Sequence, residues 1–247
     1  ANKHYFLAHY FKDQYEEALA NLPFINSQVN ITKVEVWVTN KTGTTNETRN
    51  IVAFLDLGET APYYDRVLGN GNIFNPNEAE FYPPYNGDKP NMGDPNNAFN
   101  LASNDLYKDL LSYDGIRNIN EVNNALGSTS LKNGTDFEKL ERARKLSDSE
   151  FSFNSQLGYI SLNQALNNDE VLAVAFQYTI GGDTYQVGEL STTGPTAPDA
   201  LILKLLKGTN FTPSLPNWDL MMKNIYAIGA YQMNKDGFVL DVVYENT

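Results

Sequence analysis

Val29–Thr39 reads VNITKVEVWVT and Asn50–Leu57 reads NIVAFLDL, and these two stretches decide the fold class. β-Branched and aromatic residues dominate them, and apolar side chains fall on both faces of the first, the pattern of a buried central strand. The Lys41-Thr42-Gly43-Thr44 loop lies between them, so an antiparallel hairpin is the economical expectation. Upstream, Phe11, Tyr15, Ala18, Leu19 and Leu22 recur at helical spacing with Lys12, Asp13, Glu16 and Glu17 opposite. That spacing predicts a helix ended by Pro23, with its apolar face on the two strands.

Downstream, short helices are expected over Leu101–Tyr113 and Asn120–Leu126. Thr135-Asp136-Phe137-Glu138 has the form of a capping box, which predicts a helix from Asp136 to about Leu146. Phe151–Phe153 and Tyr159–Leu162 read as short strands. Val171–Ile180 reads as a long strand turning through Gly181-Gly182-Asp183 into Thr184–Leu190. Leu201–Leu206 reads as a buried strand or a short helix, which periodicity does not separate at this length, with strand preferred; Ile225–Tyr231 with Phe238–Tyr244 reads as a last hairpin. Interleaved helices and strands joined by short turns point to an α+β fold, with mainly antiparallel or mixed sheets, packed helices and a long coil. The expected division is an N-terminal α/β subdomain with the coil at 1–100 and a C-terminal α+β subdomain at 101–247.

The coil is Thr60–Asn100, dense in Pro, Gly, Asn and Tyr and without periodicity. Tyr63, Tyr64, Phe74, Phe81, Tyr82, Tyr85 and Phe99 give it apolar surface to bury. A coil of that length inside a compact chain is commonly a functional segment. Tyr63, Tyr64, Tyr82 and Tyr85 are accordingly the expected partner-binding residues.

Composition narrows the function. The net charge of -12 opposes polyphosphates, so nucleic acid is not an expected partner. The chain has no cysteine, which removes disulfide frameworks and thiol nucleophiles. Its apolar runs fall far short of the ~20 residues of a membrane helix, so no direct bilayer insertion is expected. It opens Ala1-Asn2-Lys3-His4 without a signal-peptide pattern, and reads as a mature or excised piece.

No catalytic site, metal site or cofactor is expected. His4 and His9 lack the i, i+4 spacing of a helical metal pair, and no nucleophile elbow or phosphate loop accompanies them. Asp56 and Glu59 read as strand-terminal acids. Asp88, Asp94, Asn96 and Asn97 read as turn residues, with a weak calcium loop as the open alternative. The Asn-x-Thr triplets at Asn40, Asn46, Asn133 and Asn210 follow from the abundance of both residues. The 15 Tyr and 13 Phe also admit a surface carbohydrate-binding module as the alternative function.

Four phrases carry a resemblance: HYFLAHYFKDQYEEAL (4–19), INSQVNITKVEVWVTNKTG (25–43), TRNIVAFLDLGE (48–59) and PNWDLMMKNIYAIGAYQMNKDGFVLDVVYEN (216–246). Together they resemble the SprA/Sov family, the outer-membrane translocon of the type IX secretion system. The resemblance implies a giant β-barrel for protein export and gliding motility, of which this chain is a soluble, non-catalytic insert. It also implies a place at the cell outer membrane, the extracellular side ahead of the periplasmic. The implied partners are other segments and subunits of the translocon, and cargo proteins. The pore itself is not expected in 247 residues with a mean hydropathy of -0.43.

Overall fold

The computed structural model describes residues 3–41, 43, 47–55, 57, 107, 110–129, 131–213, 215, 217–223, 225, 236–237, 239, 241 and 243. Their strands are β1 (His4–Phe6), β2 (Asn30–Val38), β3 (Thr48–Phe54), β4 (Phe137–Lys145), β5 (Phe151–Asn154), β6 (Tyr159–Leu162), β7 (Leu172–Ile180), β8 (Asp183–Val187) and β9 (Leu201–Lys207). Their helices are α1 (His9–Asp13), α2 (Tyr15–Ala18), α3 (Val122–Ala125) and α4 (Asn217–Leu220).

The chain is mostly β, 35% strand against 12% helical, and this overturns the expected α+β fold with packed helices. Each of these four helices is only four or five residues long, too short to form a layer. β2, β4, β3, β9 and β7 follow one another in hydrogen-bonded order, and β2 also pairs with β7. The ring therefore closes as a five-stranded barrel, which removes the edges an open sheet would expose. The barrel takes β2 and β3 from before residue 100 and β4, β7 and β9 from after it.

The expected β2–β3 hairpin is replaced by an insertion. β4 stands between the two strands, with Trp37 opposite Lys145 on one side and Phe54 opposite Phe137 on the other. The far edge of β3 is taken in parallel by β9. β4 is the segment whose capping box predicts a helix. A cap is worth about 1 kcal/mol, whereas the strand pairs two neighbours and buries Phe137, Leu140 and Ala143, a gain of several kcal/mol. Glu138 does not cap anything; it accepts from the Thr209 N–H at 2.9 Å and hydroxyl at 2.6 Å. One irregularity remains at Arg142, where φ is 51° and the register slips between Arg49 and Ile51. The Asn50 Oδ1 accepts the Arg142 N–H there at 3.0 Å, so the bulged amide is satisfied.

Direct partners in an antiparallel ladder share a face. On one face of β2 and β7, Trp37 therefore sits beside Ala173 and Glu35 beside Ala175. The two alanines leave room for the indole, which is 1% exposed. On the other face Val34, Val36 and Val38 meet Phe176, Val174 and Leu172.

A three-stranded sheet, β1-β6-β5, is tied to the barrel where the Ile31 N–H donates to the Ser155 carbonyl at 2.7 Å. The single helix expected from Phe11 to Leu22 is split into α1 and α2. Its predicted apolar face holds only in part. Phe11 and Ala18 are buried and Tyr15 packs edge-on to Phe6, but Leu22 is 66% exposed. β5, β6, the β7–β8 hairpin and β9 lie close to their expected bounds. The coil Thr60–Asn100 lies outside the described residues, as does most of the expected last hairpin.

Gly158 (φ +59°) lies under Phe11, where an added Cβ would stand 2.1 Å from the ring. Gly181 has a similar φ of +60° and open space around it. Gly158→Ala should therefore cost about 2–4 kcal/mol, left-handed strain plus overpacking, and Gly181→Ala about 1 kcal/mol. Urea unfolding measures both; equal losses would show that Phe11 yields and that packing there is loose.

Candidate functional site

Charges inside apolar strands are the chemically unusual feature of the molecule. Glu35, in the VEVWV run of β2, is 2% exposed. Its carboxylate accepts from the Ser191 N–H at 2.8 Å and hydroxyl at 3.1 Å, and pairs with the Lys145 ammonium of β4 at 3.2 Å. Lys145 also lies 5.9 Å from the Trp37 ring centroid, so a single cation serves both the acid and the indole face.

Glu189, two residues earlier than Ser191, is 3% exposed. Its Oε2 accepts from the Ile202 N–H of β9 at 2.8 Å and from Arg117 at 2.9 Å. Its Oε1 accepts from Arg117 at 2.6 Å and from the Tyr107 hydroxyl. Arg117 donates further to the Ala200 carbonyl at 3.0 Å, and its own carbonyl accepts the Ala200 N–H at 2.8 Å. Hydrogen bonding to Glu189 is the chief influence raising the Arg117 pKa. Burial, followed by Glu189, raises that of Tyr107. Arg117 is thus held charged, with a neutral phenol beside it.

Lys207 ends β9 and is 2% exposed. Its ammonium donates to the carbonyls of Asn168 at 3.1 Å, Gly208 at 3.4 Å and Glu170, under the Phe211 ring at 4.6 Å. Burial pushes its pKa down to about 8, against the pull of Glu170, Asp169 and Glu138. Lys204, also on β9, donates to the Leu55 carbonyl.

These groups clasp the chain together. A general acid or base must pass a proton to a substrate, yet Glu35 and Glu189 have both oxygens taken up by internal donors, and Glu138 has its Oε1 taken up by Thr209. A cleft of about 360 Å³ lies beside Val38, Leu146, Leu162 and Leu166. Its wall carries Arg144 and Glu150, paired with each other at 2.7 Å. Burial works to raise the Glu150 carboxyl, but the Ser147 N–H and Arg144 prevail and hold it below the usual range. Among the described residues no group of three or more His, Asp or Glu is placed to hold a metal ion. No helix among them is long and apolar enough to cross a membrane.

The expected site residues fall differently. Tyr63, Tyr64, Tyr82 and Tyr85 lie outside the described residues, as do Asp56, Glu59, Asp88 and Asp94. His4 shares a 2.8 Å hydrogen bond with the Ser161 hydroxyl on β6, and His9 is buried on α1. Sequence reasoning passed over Glu35, Lys204 and Lys207, although a lone charge inside VEVWV or LILKLLK was the available signal. Their partners, 37 to 156 positions away, left no local trace.

Two measurements test the clasps. Arg117→Ala should cost about 3–5 kcal/mol, because it strands a buried carboxylate, and adding Glu189→Gln should recover much of that loss. A double variant no more stable than the single would show that the pair is not coupled. Lys207 holds fewer protons folded than unfolded between about 8 and its ordinary 10.5. Its stabilising contribution is therefore full above 10.5 and is lost as pH falls through about 8. Chemical unfolding across that window should show the wild type gaining on Lys207→Met as pH rises; parallel curves would place the ammonium in water.

No curated protein matches the chain. The family described as motility related/secretion protein, the SprA N-terminal family, matches residues 1–167. That span takes in β1 to β6 and all three of the helices α1 to α3, well over half of the 247 residues, and the chain accordingly belongs to the SprA family of motility-related secretion proteins.

Proposed function

We propose that this chain is a non-catalytic structural and interaction segment of the outer-membrane translocon of the type IX secretion system, supporting protein export and gliding motility. The observation that carries the reading is the family match over residues 1–167. The architecture supports it. A closed barrel offers a rigid platform, and the buried carboxylates of Glu35 and Glu189 have both oxygens engaged by internal donors.

In this reading the segment sits at the cell outer membrane, on the extracellular side. It docks on other segments and subunits of the translocon, and on cargo, through Tyr63, Tyr64, Tyr82 and Tyr85. Their aromatic character is the support, since interface anchors are commonly aromatic.

Changing these four tyrosines to serine in the full-length protein should leave the chain folded while lowering cargo export and subunit co-purification at least about tenfold, the loss of one or two anchors. Normal export and co-purification from a stable variant would remove the docking role. Normal export after deletion of the whole chain would remove the translocon role.

A further inference from the structure

Leu22, Pro23 and Phe24 are a run of consecutive apolar residues on the surface, with Leu22 66% and Phe24 79% exposed. Single apolar side chains are ordinary on a protein surface, but an exposed run is a fault in a fold unless it is used. The run is also well held. The Phe24 N–H donates to the Asn21 carbonyl at 3.0 Å, and the Asn26 N–H to the Ala18 carbonyl at 2.9 Å, which closes the base of the turn on the end of α2. Side chains presented this way have little backbone freedom left to lose on binding.

The surroundings select the partner. Asp13, Glu16 and Glu17 are exposed on α1 and α2, and Glu17 shares a cleft of about 110 Å³ with Asn26 and Ser27 beside the turn. The cation of these helices, Lys12, is bridged to Asp219 at 3.3 Å. With a net charge of -12, a second copy would bring like charge to like charge, and an anionic bilayer would do the same. We infer that Leu22-Pro23-Phe24 is a docking knuckle for a protein whose apolar socket is rimmed by Lys and Arg. Phe24 is the anchor, and Glu16 and Glu17 meet the rim, steering approach and fixing register.

The test rests on the export reading for one of its readouts. In the full-length protein, Leu22→Ser/Phe24→Ser and Glu16→Lys/Glu17→Lys should each lower export at least about tenfold, the scale of a lost anchor or rim. Both should leave the thermal midpoint of the chain within about 2 °C, as exposed substitutions do. A photo-crosslinking residue at position 24 should join one protein, with a yield that falls at high salt and in Glu16→Lys/Glu17→Lys. Normal export from Leu22→Ser/Phe24→Ser, where deletion of the chain stops export, overturns the knuckle and spares the export reading. If deletion leaves export normal, that reading fails and the crosslink alone decides, its absence overturning the knuckle. Indifference to Glu16→Lys/Glu17→Lys overturns the basic rim. A midpoint lowered by more than about 5 °C, or binding to phosphatidylglycerol vesicles that Leu22→Ser/Phe24→Ser abolishes, overturns the protein socket.

Discussion

The pairing of β2 with β7 turns a strip of strands into a closed barrel, and most of the remaining structure depends on it. β7 uses both of its edges. One runs against β2 from Asn30 to Val38, while the other is shared in succession by β9 at Leu172–Val174 and β8 at Phe176–Ile180. The chain leaves β8 across β7 at Gly188 (φ +73°), where an added Cβ would stand 3.0 Å from the Val174 carbonyl oxygen. One and three residues beyond the crossing, Glu189 and Ser191 are gripped by different elements, the first by Arg117 and β9 and the second by Glu35 of β2. The family match ends at residue 167, ahead of β7, so the strand that closes the ring comes from the part of the chain beyond the matched span.

Buried charge is a poor source of net stability, because desolvation cancels much of the Coulomb gain. Its effect here is on which arrangement forms. A β2 slipped by one residue would turn Glu35 away from Ser191 and Lys145, and an apolar β2 would lose that penalty. Lys207 acts similarly at the end of β9, since three carbonyls converge on its ammonium only when the 168–170 loop is in place. The polar contacts thus define register, and the aliphatic packing of β7 and β9 supplies the driving force.

How much was legible varied with the range of the determining contact. Val171–Ile180 announced itself because a long run rich in β-branched and aromatic residues needs no partner information, and Gly181-Gly182 marks its own turn; Leu201–Leu206 is too short for its period to tell strand from helix, and its pairing with β3 and β7 decides it. FEKLERARK did not announce itself. Its Glu, Lys, Leu and Ala suit a helix, and only the vacant edges of β2 and β3, far away in sequence, make it a strand. The β2–β3 hairpin was misread for a related reason: neighbouring strands pair often but not always, and nothing between Lys41 and Thr44 tells that a third strand will intervene. At the site, Glu35 and Lys207 were visible as charges among apolar residues, but the identity of their partners is a property of the closed ring.

The clasps also bracket one stretch of chain. Lys204 holds the Leu55 carbonyl where β3 ends, and Glu189 holds Tyr107 and Arg117 where the described chain resumes. Both anchors belong to the barrel, so the distance between departure and return is set by the barrel alone. Residues 55 and 107 are therefore held at a separation that the barrel fixes, whatever sequence runs between them.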